Sequence, residues 1–364
     1  MATTRRLYLL DNLKVALTIL VIAHHAGQAY GPTGGWWPIQ EATRAPVLGP
    51  FFTVNRSFFM SLFFMISGYL MVMDYDLKGP GEFVKRRLLR LGVPALVFAL
   101  CMIPLQFYVF GEPPADWRSL DWSSVINVGH LWYIEHLLLF SLCYALGRTF
   151  WKGRGPVAEA ERKSPGYLAV LAFALALAVA SAVIRIWYPI DRWVNLLGFM
   201  RVALADVPRD LSFFIIGAVA YRHDWFLRFP TGAGRVWLGV GVVAAASWYA
   251  YALGLRQVFP VSGMAMGVVY PIWEALLCCG MCIGLLVLFR EKVDLQGRLL
   301  SAMARNQYAA YVVHVSVLIL IQYAVAGIHW PPLVKFALVV LVGVPLTFLF
   351  SDWIRQPAFM RKVL

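Results

Sequence analysis

Charge is scarce in this 364-residue sequence: 14% of residues are charged, against about 25% in soluble domains. A soluble globule of this length could not coat its exterior with so few charges. Acids are scarcer than bases, 19 against 32, for a net charge of +13. No polar stretch is long enough for a separate domain of even about 50 residues. No internal repeat is evident, which weighs against inverted-repeat transporter folds. No small-residue cleavage site follows the first apolar run behind Arg5 and Arg6, so no cleavable signal is expected. There are five cysteines; Cys279-x-x-Cys282 has no second pair to build a metal or redox site with, and packing is expected of it. What the chain has is apolar: 60% hydrophobic residues at a mean hydropathy of +0.68. That excludes disorder and, because it runs from end to end, a single membrane anchor.

The fold class expected is therefore an all-α polytopic membrane protein, one integral-membrane unit over residues 1–364. A spanning helix needs about 20 apolar residues. Ten such segments are marked at 7–30, 51–73, 91–110, 130–150, 167–189, 207–221, 236–253, 264–289, 308–326 and 333–350. The stretch 193–205, amphipathic and just before the short sixth segment, is expected to be interfacial or re-entrant. With the N-terminus in the cytoplasm, 22 of the 32 basic residues fall in inner segments, 9 in outer ones, and Lys14 lies within the first helix. That bias fits ten spans with both termini cytoplasmic. It also accounts for the positive charge without a nucleic-acid partner. The expected location is the cytoplasmic (inner) membrane, multi-pass, with the lipid bilayer as a partner. Outer loops carry Trp36 and Trp37, and further on Trp117 and Trp122. Such tryptophans either anchor at the interface or stack on sugar rings. Gly280-x-x-x-Gly284 is a small-residue pair that packs helices closely, from which no oligomeric state follows.

An ionisable residue inside a span is costly and so a functional candidate. The first helix carries Asp11, Lys14, Thr18, His24, His25 and Gln28. At about 100° per residue, Asp11, Lys14, Thr18 and His25 form one stripe, with His25 about 16 Å beyond Lys14 and His24 turned about 80° aside. The basic run Lys85-Arg86-Arg87-Leu88-Leu89-Arg90 either sets topology or binds an anion, since arginine forks suit phosphates. Glu135, inside the fourth span, needs a partner, a proton or a cavity. In the ninth, Tyr311 and His314 share a helix face.

These residues carry a resemblance to the membrane acyltransferase 3 family. Asp11-Asn12-Leu13-Lys14, ten residues and then His25 resembles its first-helix signature. Phe63-Phe64-Met65-Ile66-Ser67-Gly68-Tyr69-Leu70 is similar to its second-span segment, followed by the arginine-rich Lys85–Arg90 run. Leu131-Trp132-Tyr133-Ile134-Glu135 and Tyr308-Ala309-Ala310-Tyr311-Val312-Val313-His314 resemble two later segments. In order and spacing the five matches cover essentially the whole chain. Two departures stand out. Lys14 occupies a position where arginine is usual, which weakens any bidentate role, and His24 is an extra neighbour of His25.

The resemblance implies a ten-helix enzyme. It would move an acyl group, commonly acetyl, from cytoplasmic acyl-CoA to a hydroxyl on an extracytoplasmic glycan or lipid-linked sugar. Acyl-CoA would be a co-substrate, with no permanently bound cofactor and no metal. His25 is the expected general base or transient acyl carrier, with Asp11, Lys14 and Glu135 assisting. Arg86, Arg87 and Arg90 are expected to hold the CoA phosphates, with Ser67 and Tyr69 beside them and Gly68 allowing close backbone approach. His24, Gln28, Trp36, Trp37, Tyr311 and His314 are expected on the substrate side. The rival is a proton-coupled sugar or glycolipid transporter without acyl chemistry, which would use the same intramembrane groups.

Overall fold

The computed structural model describes residues 7–32, 37–108, 118, 128–150, 163–196 and 200–364, and the side chains of these except 102–108. Twelve helices of eight residues or more occur among them. They are α1 (Tyr8–Gly27), α2 (Leu48–Arg56), α3 (Phe59–Lys78), α4 (Pro80–Arg87), α5 (Val93–Tyr108), α6 (Trp132–Phe150), α7 (Tyr167–Trp187), α8 (Val207–His223), α9 (Thr231–Ala250), α10 (Gly263–Lys292), α11 (Arg298–Val325) and α12 (Pro332–Ile354). The chain is thus a helical bundle, with one departure from the all-α expectation. Within 193–205 lies an antiparallel β-hairpin, Trp193–Leu196 paired with Met200–Ala203, where Trp193 faces Ala203 and Leu196 faces Met200. Its alternation of apolar and polar residues satisfies a hairpin as well as an amphipathic helix, and pairing resolves the ambiguity.

Seven stretches among the described residues are long and apolar enough to cross a membrane: Tyr8–Gly27, Leu48–Lys78, Tyr167–Trp187, Thr231–Val258, Gly263–Lys292, Arg298–Val325 and Pro332–Ile354. This is a multi-pass membrane protein. Three of the ten expected spans, 91–110, 130–150 and 207–221, fall outside that set. Helix α5 has 16 residues and α8 has 17. Helix α6 carries Glu135, His136 and Arg148 within 19. Sparse apolar content in α6 and α8 is what burial against other helices permits: α8 packs along α3, and α6 against α3 and α4. The apolar exterior belongs to other helices, for example Leu168 on α7 (82% exposed) and Leu341 on α12 (74%), as lipid contact requires.

Two apolar cores meet at the middle of the bundle. One surrounds α3, buried on nearly every face from Phe59 to Tyr75. The other joins α1, α11 and α12 through Val15, Ile22, Ala310, Leu318 and Val339. The site described below lies between them. Glycine pairs permit the closest helix contacts. A Cβ at Gly68 would fall on the Phe214 carbonyl oxygen, and one at Gly217 on the Met65 carbonyl oxygen, so α3 and α8 touch backbone to backbone. Gly280 and Gly284 serve α10 similarly, against Gly241 and Leu238 of α9. That small-residue pair is therefore used inside the chain. The Gly68 approach is to α8 and not to the cavity described below. Gly217→Ala is expected to cost about 1–3 kcal/mol by overpacking against backbone that cannot rotate away. A lowered melting temperature in detergent checks this; an unchanged one would contradict the contact.

Gly79, at φ +77°, ends α3 in the left-handed region that glycine tolerates best, and Pro80 opens α4 at once. A π turn over Leu88–Gly92 carries Arg90 on into α5. The turn thus sets the arginine run beneath the bundle, at the end where α1 begins. There Leu9 N–H donates to Asp294 Oδ1 (2.8 Å) and Asn12 Nδ2 to Val293 O (2.6 Å).

Candidate active site

A cavity of about 360 Å³ opens at this basic end. Lys14, Lys78, Arg86, Arg87 and Arg90 line it against one acid, Asp74. Its deeper wall is Thr18, Ser67, Tyr133 and Tyr311, with Phe63, Leu70 and Leu137 as apolar surface. The cations are held in different ways. Arg86 pairs with Glu82 of its own helix (3.1 Å) in an exposed setting. Arg87 reaches Asp74 (3.5 Å) and lies over the Phe83 ring, and its buried Nε has no hydrogen-bond partner. Arg90 lies over Tyr308, whose hydroxyl donates to the Arg90 carbonyl. Lys14 pairs with Asp11 (3.2 Å). An anion entering here meets several donors with spare capacity, in a setting less wet than the surface, where charge-assisted bonds are stronger.

Above this wall lies a histidine cluster drawn from α1, α11 and the 3₁₀ turn Gly129–Leu131 that precedes α6. His25 and His314 have ring centroids 4.9 Å apart, His130 and His314 4.8 Å, and His25 and His130 6.3 Å. His314 is fully buried, and its Nδ1 lies 2.6 Å from the Tyr311 carbonyl oxygen, so that nitrogen carries the proton. With the rings neutral, His314 Nε2 is an acceptor, 3.1 Å from His25 Nδ1. His25 Nδ1–H therefore donates, shared between that nitrogen and the Val21 carbonyl (3.0 Å). The lone pair of His25 falls on Nε2, which has no hydrogen-bond partner among the described residues. An imidazole nitrogen left open in this way can accept a proton. His130 donates Nε2–H to Val312 O (3.0 Å) and packs edge-on against Phe98.

The remaining sequence candidates distribute as follows. Thr18 and Lys14 share the cavity wall, Thr18 Oγ1 donating back to Lys14 O (2.8 Å). Ser67 faces the cavity and bonds the Tyr133 hydroxyl (2.7 Å). Tyr69 does not line the cavity: two residues on, it is turned about 200° around α3, buried, and stacked on Phe226 at 4.3 Å. Glu135 stands in the same relation to Tyr133. It is buried, and neither a hydrogen bond nor an ion pair joins it to a histidine among the described residues; its Oε2 is unpartnered. His24 turns away into Phe51, Phe52 and Phe59, its buried Nδ1 unpartnered. Trp37 lies 5.9 Å from the His25 ring, held by Gln322, which also donates to Ala26 O. Gln28 closes α1 beside His25, its N–H donating to the His25 carbonyl. Trp36 lies outside the described residues.

Sequence reasoning passed over two groups. His130 was visible only as the first residue of a span, where nothing in the periodicity marks it. The second is a buried ion network. Arg209, 3% exposed, donates to Glu274 (2.6 Å), Ser61 and Asp210, and Arg185 to the other Glu274 oxygen (2.6 Å). Arg56 pairs with Asp206 (3.0 Å). Arg209, Asp210 and Glu274 sit inside apolar segments, the same signal that marked Asp11 and Glu135. Cys278, Cys279 and Cys282 are buried in α10 beside this network.

The described helices thus form a membrane bundle with a basic cavity at one end and a buried histidine cluster behind it. A family model described as an acyltransferase domain matches residues 7–354, and the chain belongs to the acyltransferase 3 family. It is similar to glucans biosynthesis protein C from Salmonella paratyphi A, 28% identical over 270 residues, covering 69% of this chain and 67% of that protein. The protein of the same name from Salmonella heidelberg is 29% identical over the same shares. No solved structure gives a significant match. The protein is a membrane acyltransferase.

Proposed function

We propose that the chain is a transmembrane O-acyltransferase. It moves an acyl group, acetyl in the simplest case, from cytoplasmic acyl-CoA to a hydroxyl of an extracytoplasmic glycan, a glucan or lipid-linked sugar being the class suggested by the relatives' name. The observation that carries this reading is the alignment of the basic cavity with the histidines behind it. Arg86, Arg87 and Arg90 meet the CoA phosphates at the cytoplasmic end, and the thioester arm runs past Ser67 and Tyr133 toward His25. Ten spans with both termini in the cytoplasm, in the inner membrane, place the donor cavity on the side where the 22 basic residues gather.

Chemistry then needs one base. His25 Nε2 takes the acceptor hydroxyl proton as that oxygen attacks the thioester carbonyl. A C–O bond forms, the C–S bond breaks, and the proton passes to the CoA sulfur, which leaves as the thiol. His314 holds the His25 ring in the tautomer that this requires. Trp37 offers the acceptor a flat apolar face beside the base. Charge-assisted hydrogen bonds contribute about 1.5–3 kcal/mol each. Alanine at Arg86, Arg87 or Arg90 is therefore expected to raise the acetyl-CoA KM about tenfold or more per residue, with kcat nearly constant. Titration of purified protein with acetyl-CoA, and initial rates on a glucan oligosaccharide, check this. Absence of acyl-CoA binding to the wild-type protein would favour the transporter; an unchanged KM would leave the arginines to topology alone.

A further inference from the structure

Tyr311 touches both halves of the site. Its ring lines the donor cavity and lies 5.7 Å from Tyr133 across the deeper wall. Its hydroxyl donates to the His130 carbonyl at 2.5 Å. Its own carbonyl accepts His314 Nδ1–H at 2.6 Å. The next carbonyl on the same helix, that of Val312, accepts from the His130 ring (3.0 Å). One turn of α11 thus holds His130 through backbone and ring and fixes the proton of His314, while facing the donor with an aromatic wall. The π-face and hydroxyl of a tyrosine suit this double position, one side apolar and one polar.

We infer that Tyr311 is a positioning residue, through which the wall of the donor cavity sets the histidines behind it. The inference rests on the acyltransferase reading above and adds a residue to it. The hydroxyl pins the 3₁₀ turn ahead of α6 at His130. With His130 pinned, the His130 and His314 rings stay in contact at 4.8 Å, and His314 keeps its acceptor nitrogen turned to His25. A donor arm seated against the Tyr311 ring presses on the same turn that orients the base. Binding and base geometry are therefore coupled through one side chain, and misplacement of a catalytic group by about 1 Å can cost about a hundredfold in rate.

The test separates the wall from the positioning bond. Tyr311→Phe keeps the ring and the backbone carbonyl and removes only the bond to His130. In the purified full-length protein, with acetyl-CoA as donor and a glucan oligosaccharide as acceptor, kcat is expected to fall at least about tenfold. The acetyl-CoA dissociation constant should stay within about twofold of wild type, since loss of a neutral contact outside the phosphate end removes little binding. His130→Asn, which leaves the cavity wall intact, should lower kcat without weakening donor binding. The double variant should be no worse than the poorer single one, as expected of residues acting as a unit. A kcat within twofold of wild type in Tyr311→Phe would overturn the inference. So would donor affinity falling by the same factor as kcat, or additive losses in the double variant. Should Tyr311→Phe fail to fold, His130→Asn decides by the same split between kcat and donor affinity. His25→Ala is run beside them: if it retains transfer, the acyltransferase chemistry assigned to His25 fails; if it is inactive while Tyr311→Phe is unimpaired, only the inference fails.

Discussion

Replacing His25 with alanine is expected to lower acyl transfer about 10³-fold, within the range for removal of a general base, and to leave the folded protein intact. The side chain is half-buried, and the backbone carbonyl it bonds, Val21 O, belongs to its own helix. Helix α1 loses that one side-chain bond and none of its backbone hydrogen bonds in the variant. His314 Nε2 loses a donor, but the space left beside it is polar and can admit water. Donor binding should be unaffected, because His25 is not among the cavity-lining residues. The expected signature is a kcat collapse at constant acetyl-CoA affinity. His314→Ala should produce a smaller loss, since the base remains but its tautomer is no longer held. Radiolabelled acetyl-CoA supplied without acceptor gives a second readout: a labelled His25 adduct would make the residue an acyl carrier instead of a base. Transfer surviving in His25→Ala would remove it from the chemistry.

Arg209→Met is expected to destabilise the protein by about 3–5 kcal/mol, the cost of leaving a buried charge uncompensated. Arg209 lies between Glu274, Asp206 and Asp210, with Ser61 accepting from its Nε. Removing it leaves Glu274 to Arg185 alone and leaves buried Asp210 with the Ser61 hydroxyl (2.8 Å) but no cation among the described residues. Arg209→Lys should not restore the loss, since one ammonium cannot reproduce the fork that reaches three acceptors. Arg209→Met with Glu274→Met should be less destabilised than the sum of the two singles, because the pair is removed together. Thermal unfolding in detergent measures this. A loss under about 1 kcal/mol in Arg209→Met would mean that the network is wet, with its charges screened as at a surface.

The sequence revealed the site unevenly, for geometric reasons. The α1 stripe was legible because 3.6-residue periodicity places Lys14 and Thr18 on one face, and that face lines the cavity. Arg86, Arg87 and Arg90 were legible as a dense run, and all three converge on the same space. A short motif, however, does not say which of its residues point inward. Ser67 and Tyr69 belong to one segment yet face opposite sides of α3, and Tyr133 and Glu135 do the same on α6. Nothing in the motif itself marks Tyr133 as the inward one. His130 enters the cluster only because a 3₁₀ turn at Gly129–Leu131 brings it beside α11, a contact separated by 182 positions from Val312. Such tertiary placement leaves no local trace. The hairpin at Trp193–Ala203 was hidden for a related reason, since short alternation fits more than one local structure.

The most direct measurement is mass spectrometry of envelope glycans and glycolipids from cells carrying the wild-type chain, the His25→Ala chain or neither. Acyl transfer predicts a glycan species heavier by one acyl group, 42 Da for acetyl by the difference between acetyl and hydrogen, about the smallest acyl increment expected of this chemistry. It should be present only with the wild-type chain. Identical glycan masses in all three, with the wild-type protein folded and in the membrane, would contradict it.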